Sequence, residues 1–525
     1  MKTTGITETH AEDPQRIPKH STWNRIQYAI YALVLAVPVS VWLTLIRDPL
    51  NQDETGSVWD ISAGFSKIWP HQFISLAFPA YAYILWLFTK ILGTSEAALR
   101  TPSFLAMLGA AVLLYLAARE LFERDLAVIA TLVFCVHPIV IVESVNVRPY
   151  AFAILATNAA ILVMLRLRRS NSNGLAALFG FLAACIVYFY LLFAVMLPAL
   201  VLCFFVVKSK DLKPAFRQFG VAVAVFVLAF LPVIPSLHYL LHTAGTHVYE
   251  VAPNAADLIW TLAPGILPFI AAGTILVALV LVAIKPKPQQ ESSKGDGNWR
   301  LIVCLSLAFI PLLTLYSLSV GTPLHLFVNR HRVIAIPGIS LCWALLLSRY
   351  LTRPTRLLFC AALAAVIAFQ YYVYPYAGRH FVTWKYALAL AEKNASADNA
   401  PVLVCSDYIE SDYLPMPVNS PTDSRLFSTL AYYKLTVPVV PLPQDLNDQA
   451  IRIASDFLQQ AGQKHQRFLA IASPSSVKTL DWLTQRASPT YSVHNLGAPD
   501  GIEVLEFSDS PSQSSPQGAV HGSGK

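Results

Sequence analysis

Charge is scarce in this sequence. Asp, Glu, Lys and Arg make up 13% of its 525 residues against 55% hydrophobic ones, and the mean hydropathy is +0.52. That shortage excludes a wholly soluble globular protein and requires a bilayer as solvent for most of the chain. Cysteine is sparse too. Cys135, Cys185, Cys203, Cys304, Cys342 and Cys360 lie in apolar runs and Cys405 stands alone in the polar C-terminal part, so no disulfide framework is implied. The N-terminal stretch "MKTTGITETHAEDPQRIPKHSTWNR" is too long and polar for an ordinary cleaved signal peptide. Internal repeats and charges at span centres are missing, which speaks against the competing class, a transporter or flippase of lipid-linked sugars. The net charge of +7 is spread over short loops and marks no nucleic-acid footprint.

What the chain does have is apolar runs of the length that crosses a hydrocarbon core, roughly 20 residues each. They fall near 28–46, 102–118, 126–142, 151–165, 175–190, 191–207, 218–237, 262–284, 301–319, 333–348 and 357–375. A further apolar stretch, 71–93, decides the topology. If it does not fully cross, the basic N-terminus and the basic loops "AARELFERD", "RLRRSNSNG", "KSKDLKPAFR", "KPKPQQESSKGDGNWR" and "SRYLTRPTR" all share the cytoplasmic side. The predicted fold is therefore a mainly α membrane protein with about 11 transmembrane helices and an interfacial helix segment in the first outer loop, followed by a small C-terminal soluble α/β domain. The expected divisions are a cytoplasmic tail over 1–26, a polytopic domain over 27–376, an extracytoplasmic α/β domain over 377–508 and a disordered tail over 509–525.

This topology turns several polar loops outward. The first, 47–101, carries the adjacent carboxylates Asp53 and Glu54; the second, 143–150, reads "ESVNVRPY"; the loop 238–261 holds His238, His242, His247 and Glu250; and 320–332 reads "GTPLHLFVNRHR". Arg148, Arg330 and Arg332 sit in outer loops against the orientation rule, and a phosphate is the simplest reason for them. A carboxylate beside such cations can take a proton from an attacking hydroxyl. Each feature also has a plainer reading. Asp53 and Glu54 suit a solvated loop end, Arg148 with Tyr150 suits an interfacial anchor, and Arg330, His331 and Arg332 suit contact with anionic lipid. The histidines of 238–261 have no metal-ligand spacing.

In motif order the chain resembles the polytopic C-type glycosyltransferases of the protein O-mannosyltransferase and aminoarabinose-transferase superfamily. The similarity is densest over about 47–207 and rests on Asp53 and Glu54, on "FPAYAYILWLFTKILGTSEAALRTPSFLAMLGAAVLLYLAARELFERD" and on "SVNVRPYAF", with a looser match at "VNRHRVIAIPGISL". Two features depart from the family pattern. A single Pro79 stands in "FPAYAY" where many members have a His-Pro-Pro-Leu-Tyr run, and Asn146 stands where many have an acid, with Glu143 one turn earlier.

The resemblance implies a membrane glycosyltransferase that moves a sugar from a polyprenyl-phosphate-linked donor to an extracytoplasmic lipid, glycan or protein acceptor, with inversion. Asp53 is then the implied base and Glu54 its motif partner. Arg148 and either Arg330 or Arg332 would hold the donor phosphate, and Glu143, Asn146, Tyr150 and His331 would line the substrate site. No cofactor follows from the sequence; some relatives use a divalent cation, Mg or Mn, and others none. The implied location is a bacterial cytoplasmic membrane, N-terminus inside and C-terminal domain outside. A non-catalytic assembly partner of the same fold stays open beside the enzyme and the transporter.

Overall fold

The structure is a computed structural model that describes residues 20–74, 79–209, 212–234, 237, 252–262, 298–323, 325–373 and 382–509. Among them, seven helices are long and apolar enough to cross a membrane: Ile26–Leu45, Glu96–Leu121, Tyr150–Leu167, Leu212–Val233, Asn298–Gly321, Asn329–Tyr350 and Pro354–Tyr372. The expected span 262–284, the histidines of 238–250, the domain boundary near 376 and the tail beyond Asp509 lie outside the described residues.

Helices α1 (His20–Leu45), α5 (Glu96–Leu121), α8 (Tyr150–Leu167), α9 (Asn173–Phe189), α10 (Leu197–Val207) and α11 (Leu212–Phe230) build the membrane body with Asn298–Gly321, Ile336–Tyr350 and Arg353–Val373. Their shared interior is one apolar cluster running from Val34 to Tyr371. The outer faces are apolar as well. Leu33, Leu228 and Leu358 are each more than 60% exposed, as expected where lipid tails rather than water surround a helix. Small residues let helices close up: a Cβ on Gly180 of α9 would strike the backbone of Ala222 in α11.

One expected run is divided, while the break between 175–190 and 191–207 and the short helix within 71–93 agree with expectation. The run 126–142 is two helices, α6 (Arg124–Val136) and α7 (Pro138–Glu143), because Pro138 cannot continue the ladder and His137 caps the new helix by accepting the Ile139 N–H at 3.3 Å. Between α9 and α10 the chain breaks at Tyr190, which is extended, and resumes as a 3-10 turn over Leu191–Met196. The stretch 71–93 contains α4 (Ala80–Leu92), preceded by α2 (Gln52–Ser62) and the short α3 (Ile68–Ile74). At 13 residues α4 is about 20 Å long, well short of a hydrocarbon core of about 30 Å.

Strands begin after Pro401. Five of them form a mixed sheet in the order β2-β1-β3-β5-β4, with β1 (Val402–Cys405) parallel to β2 (Val439–Leu442) and to β3 (Phe468–Ala472). The hairpin of β4 (Tyr491–Gly497) and β5 (Glu503–Asp509) completes it antiparallel to β3. Every residue of β1 and β3 is buried, as a central strand covered on both faces requires. Helices Lys385–Ala395, Asp448–Lys464 and Val477–Ala487 supply the cover. Two apolar clusters, one around Trp384 and Phe427 and one around Phe468 and Phe507, lie on the two sides of the sheet.

Candidate active site on the first outer loop

The site is organised by the N-terminus of α2. Asn51 is its cap: the side chain accepts the Glu54 N–H at 2.9 Å, and the Glu54 carboxylate accepts the Asn51 N–H at 2.9 Å. This capping box needs a short polar residue followed three positions later by Glu, the spacing in "NQDE". Glu54 is 1% exposed and fully engaged. Its oxygens also receive Arg100 Nε at 2.9 Å, Arg100 Nη2 at 2.6 Å and the Val147 N–H at 3.0 Å. Arg100 in turn donates to the carbonyls of Leu45 and Pro49 at 3.0 Å. One buried ion pair thus ties α1, α2, α5 and the loop before α8 together.

Asp53 points the other way. Its carboxylate meets Arg330 Nη1 at 3.4 Å and its side chain is 43% exposed. Arg148 reaches the carbonyl of Asp53 at 3.4 Å and Ser57 Oγ at 3.5 Å. The surrounding protein pushes the Asp53 carboxyl up, but the fields of Arg148, Arg330 and Arg425 outweigh it and hold the group below the usual carboxylate range. Arg148 stays firmly protonated: burial opposes its charge, while Asp53 and the phenols of Tyr150 and Tyr190 favour it.

The remaining candidates separate into near and far. Glu143 ends α7, is 3% exposed, and accepts Asn146 Nδ2 at 3.1 Å. Burial pushes it up to about 7, with Asn146, Arg330 and Arg148 pulling the other way. Tyr150 is buried edge-on against Tyr190 with ring centroids 4.9 Å apart. His331 has its Nδ1 2.7 Å from the Leu326 carbonyl, which can only accept, so Nδ1 carries the proton and Nε2 accepts the Tyr190 hydroxyl at 2.7 Å. Arg332 turns away from Asp53. It donates to the Asp257 carbonyl at 2.8 Å and to Thr261 Oγ1 at 2.7 Å, and it lies over the Phe327 ring.

The structure adds groups that sequence reading passed over. Arg100 falls in the loop 47–101, just ahead of the run 102–118, and Tyr190 closes the run 175–190; an arginine opening an apolar run beside an acidic loop is the available signal for the first. The C-terminal domain also reaches the site. Tyr408 Oη donates to the Gln52 carbonyl at 2.9 Å, Arg425 Nε lies 3.4 Å from Asp60 Oδ1, and Ser428 Oγ is 3.0 Å from Thr55 Oγ1. Tyr433 Oη accepts the Leu50 N–H at 2.7 Å, Lys385 pairs with Glu96 at 2.7 Å, and Asn51 bridges Thr383. Among the described residues no group of three or more His, Cys, Asp or Glu gathers as metal ligands. One carboxylate facing three guanidinium groups does not fit a divalent cation, and no step below is routed through one.

Residues 77–239 match the family model described as dolichyl-phosphate-mannose-protein mannosyltransferase. No curated protein matches the chain. Among solved structures, ArnT from Cupriavidus metallidurans bound to undecaprenyl phosphate superposes with a TM-score of 0.54 at 13% identity, covering 93% of this chain and 99% of that one. The mycobacterial arabinofuranosyltransferase AftD scores 0.45 at 13% identity, covering 91% of this chain and 40% of that one. The Archaeoglobus fulgidus oligosaccharyltransferase with Zn and sulfate scores 0.45 at 13% identity, covering 91% and 73%. Of the three, only the ArnT superposition bears on the fold. Taken with the helices and the C-terminal sheet, these findings describe a multi-pass membrane protein that shares the ArnT fold and is similar over residues 77–239 to the mannosyltransferase family model.

Proposed function

We propose that the protein is a glycosyltransferase that moves a sugar from a polyprenyl-phosphate donor to a lipid, glycan or protein acceptor at the outer face of a bacterial cytoplasmic membrane. The observation that carries this reading is the meeting of one accessible carboxylate, Asp53, with Arg148 and Arg330, which the fold brings from the start of α8 and from the turn Asn329–Arg332. The undecaprenyl phosphate bound by ArnT, whose fold this chain shares, supports the choice of donor class.

In this reaction the acceptor oxygen attacks the anomeric carbon and Asp53 takes its proton. The bond from that carbon to the phosphate oxygen breaks, and its electron pair stays on the phosphate. Arg148 and Arg330 stabilise the growing charge, an interaction stronger in the transition state than in the ground state. Arg330 has a second effect. As long as it faces Asp53 it weakens the base, and a phosphate that draws it away restores basicity when donor is present. Arg332, engaged with Asp257 and Thr261, serves instead to fix the turn that aims Arg330. Glu54 anchors α2 through Arg100, and His331 with Tyr190 walls the site.

The test is transfer by purified protein from polyprenyl-phosphate sugars to membrane extract. Asp53→Asn should slow turnover by about 10²- to 10⁴-fold, the usual worth of a positioned base, without weakening binding of a polyprenyl phosphate. Undiminished transfer by the variant would remove Asp53 as base.

A further inference from the structure

The outward face of α2 carries Asp53, Gly56, Ser57 and Asp60, positions spaced three, four and seven residues from the first and therefore aligned on one side of the helix. Gly56 leaves a flat place on that face. Onto it the C-terminal domain lays Tyr408 and Arg425: a Cβ on Gly56 would collide with Tyr408 Oη and come within 3.3 Å of Arg425 Nη2. The Arg425 guanidinium lies 5.0 Å from the centre of the Tyr408 ring. It sits about one helical turn from Asp53, a rise of about 5 Å, while Arg148 reaches Ser57 on the neighbouring position.

Arg425 is short of partners. Its side chain is 11% exposed, and its ion pair with Asp60 among the described residues spans 3.4 Å. Its Nε is buried without a hydrogen bond, as is the Nε of Arg148. A guanidinium presents five donors, and a buried one that leaves them unused loses hydration without compensation. Arg148, whose Nη1 makes contacts of 3.4 and 3.5 Å while its Nε makes none, and Arg425 also repel one another. An oxyanion between them would satisfy the donors and remove the repulsion.

We propose that Arg425, supplied by the C-terminal domain, binds the substrate's anionic oxygens directly and forms with Arg148 and Arg330 a three-arginine oxyanion site over α2. The ligand chemistry is a phosphate, from the headgroup of the lipid-linked donor or from a water-soluble anion. The proposal rests on the glycosyltransferase reading and extends it, since it makes the C-terminal domain part of the binding site.

The experiment is equilibrium binding to the full-length protein in nanodiscs, with undecaprenyl phosphate in one arm and inorganic phosphate in the other. Arg425→Gln should weaken binding by at least about tenfold, the range of a charge-assisted contact, and Arg425→Lys should recover part of the loss. Weakening confined to the lipid arm assigns the donor headgroup, and equal weakening in both assigns a soluble anion. Tyr408→Phe, which loses the contact to the Gln52 carbonyl but keeps the guanidinium, should bind as wild type does; an equal loss there would trace the effect to docking and overturn direct contact. Unchanged affinity of Arg425→Gln in both arms also overturns the proposal. Arg148→Gln separates the two readings: if it too leaves binding intact, the phosphate site itself is wrong, and if it alone weakens binding, only Arg425 is.

Discussion

Glu54 and Asp53 are neighbours in sequence, and a helix turns neighbouring side chains about 100° apart. That rotation sends Glu54 inward to the cap and to Arg100, and leaves Asp53 facing the arginines. Removing one partner of a buried pair strands the other charge, so Arg100→Ala should cost about 3–5 kcal/mol. Thermal unfolding in detergent would show it as a large fall in Tm. At Asp53 the folded value is depressed, so the carboxylate is present above the ordinary range and is lost only as pH falls through the lower folded value. The acid limb of kcat/KM should therefore lie below about 3.9. Glu143 runs the opposite way: it is raised, so the folded state binds its proton more tightly and stability declines as pH rises from about 4.3 towards about 7. Glu143→Gln keeps an acceptor for Asn146 and removes that titration. Its Tm should exceed that of wild type at pH 8 and match it near pH 4.

Among the elements, α2 joins the membrane body to the C-terminal domain. It is held from below by Glu54 and Arg100 and covered from above by Tyr408, Arg425 and Ser428. Gly56 is what allows that cover to close. Gly56→Ala favours the helix itself by about 1 kcal/mol, yet its methyl group meets the Tyr408 hydroxyl and must displace that side chain from α2. Faster amide exchange over Gln52–Ser62 and impaired phosphate binding are the expected results. Unchanged exchange would show that the Tyr408 contact does not hold α2. The apolar runs were readable as helices because transfer from water to lipid acts locally, whereas the helix start at "NQDE" went unread beside its acid pair. The edge strand β2 was not readable. Its "VVPL" is flanked and interrupted by prolines, which an edge strand tolerates and a central one does not.

For the whole molecule, the distribution of Lys and Arg predicts that the C-terminal domain lies outside the cell membrane. Lys478 is exposed on that domain and every cysteine of the chain is buried or half-buried. A Lys478→Cys variant should therefore react with a membrane-impermeant thiol reagent in intact spheroplasts; labelling only after lysis would reverse the orientation. Composition and motif order were enough for the membrane class, most of the helices, the α/β character of the C-terminal part and the candidates Asp53, Glu54, Arg148, Arg330 and Arg332. Only the tertiary structure distinguished Arg330 from Arg332, gave Glu54 its ties to Arg100, and set Arg425 over α2 more than 360 residues from Asp53. The physical reason is one of range. Burial and capping follow from residues within a turn or a span, whereas the direction of a guanidinium depends on acceptors that chain folding brings from hundreds of residues away.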